Sequence, residues 1–533
     1  MIMVIILAVL AMIVVKALTH SPWGTYTVAF TIPLAIFMGI YIRYLRPGRI
    51  GEVSVIGLVM LVFAIISGGW VAESPTWAPW FDYTGVQLTW ILVGYGFVAA
   101  VLPVWLLLAP RDYLSTFLKI GTIVGLAIGI LIMRPTLTMP ALTKFVDGTG
   151  PVWSGNLFPF LFITIACGAV SGFHALISSG TTPKMLANEG QACFIGYGGM
   201  LMESFVAIMA LVAACIIDPG VYFAMNSPMA VLAPAGTTDV VASAAQVVSG
   251  WGFSITPDTL HQIASEVGEQ SIISRAGGAP TLAVGMAYIL HGSLGGLMDV
   301  SFWYHFAILF EALFILTAVD AGTRAARFML QDLLGVISPG LKKTSSLPAN
   351  LLATALCVLA WGYFLHQGVV DPLGGINTLW PLFGIANQML AGMALMLCAV
   401  VLFKMKRQRY AWVALLPTSW LLICTLTAGW QKSFSPDTKV GFLAIANKFQ
   451  AMIDSGNIPP QYTESQLAQL VFNNRLDAGL TIFFMIVVVV LALFSIKTAL
   501  AALKEDKPTA KETPYQAMPA DAQTITAQAK RAH

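Results

Sequence analysis

Apolar residues fall along this chain in long blocks separated by short polar loops, and the blocks have the length of a bilayer. A transmembrane helix needs about 20 mostly apolar residues to cross a hydrocarbon core of roughly 30 Å. Such stretches lie at residues 26–42, 53–71, 86–109, 114–133, 156–177, 192–217, 281–298, 300–319, 351–366, 379–403, 411–430 and 480–503, and one more opens the chain. The pattern predicts an all-α polytopic transmembrane helix bundle over residues 1–503, with about 12 or 13 spans. Residues 504–533 are polar and aperiodic and are expected to form a disordered cytoplasmic tail. Residues 1–15 are apolar from the first position, yet at 1.5 Å per residue they reach only ~22 Å. They also lack the positive region of a signal peptide. The expectation is that the chain begins inside a helix of a longer protein.

Lys and Arg in short loops mark the cytoplasmic side. Arg43, Arg46 and Arg49 form one cluster, Arg324, Arg327, Lys342 and Lys343 a second, and Lys404, Lys406, Arg407 and Arg409 a third. Residues 218–280 carry five acids and one base, Arg275, and are expected to face outward, as are residues 431–474. This assignment conflicts with simple counting, because two apolar stretches, 281–298 and 300–319, occupy the place of one crossing. The first contains HGSLGG (291–296), which breaks a helix. Either that stretch is re-entrant or discontinuous, or part of 230–250 dips into the membrane.

Composition sharpens the class. Of 533 residues, 57% are apolar and 10% are charged, and the mean hydropathy is +0.80. A soluble globule of this size cannot cover its surface with so few charges. The net charge of +3 gives no field suited to nucleic acid. The six cysteines lie in apolar stretches with no CxxC pair and no zinc-type Cys/His spacing, so they read as small lipid-facing or packing residues. No HExxH pattern, P-loop or cofactor motif is present, and no metal or cofactor is expected.

Candidate chemistry therefore rests on polar residues inside apolar stretches, where an ionisable group costs roughly 2.5–3.5 kcal/mol. Glu203 and Glu311 are two such residues. Each is either a proton-relay or substrate-contact carboxylate, or a structural interhelical hydrogen bond. GAVSGFHALISSGTTPK (168–184) carries helix-weakening glycines and the hydroxyls of Ser178, Ser179, Thr181 and Thr182 before a proline. Unwound backbone inside a membrane is tolerated where it lines a cavity or is buried in protein, as in transporter binding sites; a capped helix end is the other reading. His174, His291 and His305 are each single histidines on apolar faces that, with the two glutamates, could form one interior polar cluster. GGINTLWPLFGIANQML (374–390) sets Asn377, Asn387 and Gln388 on a Gly/Pro-broken helix, as substrate contacts or as interhelical glue. Asp320 and Arg324 have the i, i+4 spacing of an anchoring ion pair.

Three strings, GFHALISSGTTPKML (172–186), FAILFEALFILTAVDAGTR (306–324) and LWPLFGIANQMLA (379–391), resemble the carbon starvation protein A family, and the similarity runs through every span. The resemblance implies a multispan inner-membrane secondary transporter for uptake of peptides or pyruvate when preferred carbon is exhausted. It also implies distant common ancestry with inverted-repeat amino acid, polyamine and organocation transporters. Members of the family begin with further spans and a Gly-rich segment of the type GHHFAAIAGAGP that is absent here. If that segment forms part of the path, this chain alone does not transport.

Two further classes compete with a transporter. An intramembrane enzyme would need a nucleophile and a base, and Ser178 with His174 has helical i, i+4 spacing; a sensor or structural membrane subunit is the third. The transporter reading places substrate, a peptide or pyruvate, against His174, Ser178, Ser179, Thr181, Thr182, Asn387 and Gln388. The coupling ion, H⁺, falls to Glu203 or Glu311. The expected surroundings are the lipid of a cell inner membrane, with the C-terminus cytoplasmic.

Overall fold

The structure is a computed structural model. It describes residues 1–510 except 104, 181, 183–185, 187, 235, 345, 372–374, 460 and 461, and the backbone alone at 166 and 376–378. Thr181, the side chain of Asn377 and the tail from 511 to 533 lie outside the described residues.

The helices in chain order are α1 (Ile2–Leu18), α2 (Pro22–Ile40), α3 (Ile50–Glu73), α4 (Gly85–Val101), α5 (Leu108–Met133), α6 (Leu157–Thr164), α7 (Ala166–Ala169), α8 (Gly172–Gly180), α9 (Gln191–Cys215), α10 (Pro219–Asn226), α11 (Met229–Leu232), α12 (Val240–Gly250), α13 (Pro257–Glu266), α14 (Ala279–Ser293), α15 (Val300–Ile337), α16 (Leu347–Val370), α17 (Gly375–Lys404), α18 (Trp412–Phe434), α19 (Phe442–Asp454) and α20 (Glu464–Lys504). Among the described residues, nine helices are long and apolar enough to cross a membrane. The chain is thus an all-α polytopic membrane protein. Three expected spans are not continuous helices: 86–109 is α4 as far as Val101 and then the first residues of α5 from Leu108. Residues 156–177 become α6, α7 and α8 in succession, and 281–298 yields α14, of only 15 residues.

Helix α1 is apolar all round and lies at the centre, with nearly every side chain buried against α15, α16, α17 and α4. A helix with no polar stripe has no face to give to water, and burial on all sides is the matching position. The 38 residues of α15 and 41 of α20 span about 57 and 61 Å at 1.5 Å per residue, so both project beyond a bilayer core.

Ionic contacts sort the loops onto two ends of the bundle. At one end Arg43 stacks on Trp105, 4.1 Å from its ring centre. Beside it Arg324 donates to the carbonyls of Ala99 and Leu102 (2.6 and 2.7 Å), and Arg327 to that of Ala100 (3.0 Å). These two arginines close the C-terminal carbonyls of α4, which have no partner within the helix. The Asp320–Arg324 pair expected from spacing is therefore replaced. Asp320 instead accepts from Tyr95 Oη at 2.6 Å and faces Arg111 Nη1 at 3.5 Å, fully buried, and Arg111 also contacts Tyr95. An i, i+4 pair satisfies a surface helix, but here α4 and α5 offer Asp320 a closer cation and leave bare carbonyls for Arg324. At the other end Ser21 and Arg275 hold Glu269 at 2.9 and 3.0 Å, and Asn473 reaches Asp371 at 3.4 Å.

Candidate functional site

The helix break between α6 and α8 is built from both sides. Gly172 opens α8 where it crosses α17: a Cβ there would sit 2.2 Å from the Asn387 carbonyl oxygen and 2.3 Å from Leu390 Cβ, so only glycine allows the approach. From the opposite side Gly384 of α17 faces the Ile163 carbonyl, 2.6 Å from where its Cβ would lie. Small residues at a helix crossing let backbones meet in this way. The amides then bind the freed backbone groups. Asn387 Oδ1 accepts the Phe173 N–H at 2.8 Å, and Gln388 Nε2 donates to the Phe162 carbonyl. Both amides are buried.

An orphan N–H at a helix start costs about 1–3 kcal/mol when its acceptor is removed. Asn387→Ala is accordingly expected to lower thermal stability of the purified protein by that amount, measured as the unfolding midpoint in detergent. An unchanged midpoint would show that Asn387 does not hold the break.

Facing the break, α9 carries Glu203. One carboxylate oxygen lies 3.0 Å from His174 Nε2, and the other accepts from Cys167 Sγ at 3.2 Å. Cys167 sits in α7 and His174 in α8, so a single carboxylate joins both sides of the break. Their ligand-type atoms all lie within 4.8 Å of one another. Cys167 is thus a site residue that the spacing argument passed over, because six residues of broken helix separate it from His174 and the third member belongs to another helix.

Glu203 and Cys167 line a cavity of about 540 Å³. Glu311, from α15, lines it too, and so does Lys119 from α5. The two glutamates that the sequence nominates do converge on one space. Glu311 has no hydrogen-bond or ion-pair partner among the described residues. Lys119 Nζ donates to Thr317 Oγ1 at 3.0 Å and lies 5.2 Å from the Phe314 ring centre, with no carboxylate paired to it among the described residues. The rule that singled out Glu203 and Glu311 also applies to Lys119, an isolated charge in TFLKIGTIVG, and sequence reasoning missed it.

Gly277, Gly278 and Ala279 border the same cavity. Helix α14 therefore starts inside the bundle, at this cavity, with Gly285 against Ala213 near the end of α9 and Gly292 against Met133 at the end of α5. Of the two explanations for the counting conflict, this favours the discontinuous one: residues 269–279 reach inward, whereas α12 (Val240–Gly250) packs with α10, α11 and α13.

The remaining candidates fall elsewhere. Ser178 and Ser179 are exposed and donate back to the carbonyls of Ala175 and Leu176 at 3.0 and 3.1 Å, and Thr182 Oγ1 to Ile177 at 3.4 Å. With Ser178 so engaged and His174 turned to Glu203, the two are not joined as nucleophile and base. The three histidines do not form one cluster. His291 Nδ1 is bonded at the Met298 carbonyl (2.8 Å), and His305 stacks on Trp23 with ring centres 4.0 Å apart.

Compared with known proteins, residues 1–428 match the family model described as carbon starvation protein CstA. The chain belongs to this family. It is 93% identical to the peptide transporter CstA of Escherichia coli strain K12 over all of this chain and 76% of that protein. To the pyruvate/proton symporter BtsT of the same organism it is 59% identical, over 97% of this chain and 75% of that one. To the peptide transporter CstA of Mycobacterium tuberculosis strain H37Rv it is 52% identical, over 95% and 68%. No solved structure matches the chain. The three strings that carry the family resemblance are the ones that build the break, the Glu311 wall and the α17 amides.

Proposed function

We propose that this protein is a secondary transporter of the cell inner membrane that takes up peptides or pyruvate together with protons. The observation that carries the reading is the cavity in which Lys119, Glu203 and Glu311 meet beside a broken helix. Both substrate classes carry a carboxylate, and Lys119 is the cation that would receive it. Glu311, apolar-walled and unpartnered among the described residues, is the carrier of the coupled proton. Glu203 is the lesser candidate for that role because its two oxygens are already engaged by His174 and Cys167. Asn387, Gln388 and the hydroxyls of Ser178, Ser179 and Thr182 support the broken helix, and contact substrate only as its backbone does. The relatives named as peptide transporters and as a pyruvate/proton symporter support substrate class and coupling.

The test is uptake of labelled pyruvate and labelled dipeptides into cells expressing the full-length protein, with and without a protonophore. Accumulation that the protonophore collapses is expected for at least one substrate. Accumulation no greater than in empty-vector cells for both would refute the reading.

A further inference from the structure

We infer that Cys167, His174 and Glu203 form a binding site for a zinc-class divalent metal ion. The donor set is one thiol sulfur, one imidazole nitrogen and one carboxylate oxygen, the ligands that zinc takes at about 2.0–2.3 Å. Ligand atoms around a tetrahedral zinc lie roughly 3.3–3.8 Å apart. Here one ligand atom from each residue lies within 4.8 Å of the other two, with His174 Nε2 3.0 Å from one Glu203 oxygen and Cys167 Sγ 3.2 Å from the other.

Charge decides the valence. A thiolate and a carboxylate with a neutral imidazole carry two negative charges, which a divalent ion cancels, so the occupied site adds no net charge to an apolar wall. Binding replaces the thiol S–H bond by an S–metal bond, and the displaced proton leaves to water in the cavity. The sulfur and nitrogen donors select zinc, cobalt(II) or cadmium over calcium and magnesium, which prefer oxygen. The fourth position faces the cavity that Cys167 and Glu203 line, where a water completes the tetrahedron.

The site also has a mechanical consequence, which rests on the transport reading above. Cys167 and His174 stand on opposite sides of the helix break and Glu203 on α9, so one ion ties three segments together. Zinc then acts as a brake that holds the broken helix in a single position.

Binding is tested on purified, chelator-stripped full-length protein by titration with cobalt(II). The expected result is one equivalent bound with a near-ultraviolet sulfur-to-cobalt charge-transfer band, displaced by zinc. Cys167→Ser is expected to abolish the band, Cys193→Ser to keep it, and His174→Ala and Glu203→Gln to weaken binding at least tenfold. Should Cys167→Ser fail to fold, the His174→Ala titration carries the test. Absence of a thiolate band in the wild type, or unchanged binding in His174→Ala, would overturn the inference. This spectrum needs no uptake, so its failure is separable from failure of the transport reading. Zinc inhibition of uptake that is relieved in Cys167→Ser tests the brake.

Discussion

Replacing Lys119 by methionine is expected to reduce uptake of a carboxylate substrate about ten- to a hundredfold, with the protein still folded in the membrane. A hydrogen bond to an ionised group is worth about 1.5–3 kcal/mol, and each 1.4 kcal/mol is a factor of ten. Methionine keeps most of the apolar stem that packs beside Phe314 and removes only the charge. The hydrogen-bond partner left behind is the Thr317 hydroxyl, which already donates to the Phe314 carbonyl at 2.8 Å; Asp112 also loses the attraction of Lys119, and normalising to surface expression separates that cost to the fold from the loss of substrate binding. Lys119→Arg keeps the cation and is expected to restore part of the uptake. Initial-rate uptake of labelled pyruvate, normalised to surface expression, measures the effect. Wild-type rates in Lys119→Met would remove Lys119 from the substrate path.

Glu311→Gln is expected to abolish accumulation against a gradient while leaving exchange of labelled for unlabelled substrate. The amide has the shape of a protonated carboxyl but cannot release a proton, so the proton no longer has a carrier as access alternates. One charge moved through 100 mV is worth about 2.3 kcal/mol, so the lost coupling corresponds to roughly fifty-fold in accumulation ratio. The sign with pH follows directly. On the proposed role the carboxyl loads from the outside, so uptake is expected to fall as external pH rises; Glu311→Gln is locked in the neutral form and its exchange is expected to be flat with pH. Counterflow in proteoliposomes separates the two activities. Retained protonophore-sensitive accumulation in Glu311→Gln would assign the proton elsewhere.

The two predictions use residues of unequal legibility. Glu311 stands out because eight apolar residues surround it in AILFEALFI, and insertion cost marks such a carboxyl wherever it occurs. Lys119 carries the same mark, but it sits five residues into the apolar block that opens at 114, a few residues after Arg111 and Asp112, and reads as the end of a span. In the structure α5 starts at Leu108, three turns earlier, which carries Lys119 into the bundle.

The helix break was legible as glycines and hydroxyls in GAVSGFHALISSG, but the hydroxyls of Ser178 and Ser179 serve their own helix. What stabilises the break are Asn387 and Gln388, more than 200 residues away along the chain. Cys167 was read as packing because its partners are visible only when α7, α8 and α9 are side by side.

Local physics accounts for what could be read in one dimension. Apolar block length set the all-α membrane class, the positions of charge set the loop ends, and acids inside apolar blocks named Glu203 and Glu311. Each follows from the cost of placing one residue in hydrocarbon, which depends on that residue and its near neighbours. Which acid is paired and which is free, and which cation joins them, depended on helix packing. The same holds for the entry of residues 269–279 into the bundle and for the exchange of Asp320's partner from Arg324 to Arg111. Those outcomes are set by which groups on distant segments come within about 3 Å, and a chain that satisfies its polar atoms across helices leaves no periodic trace of the choice.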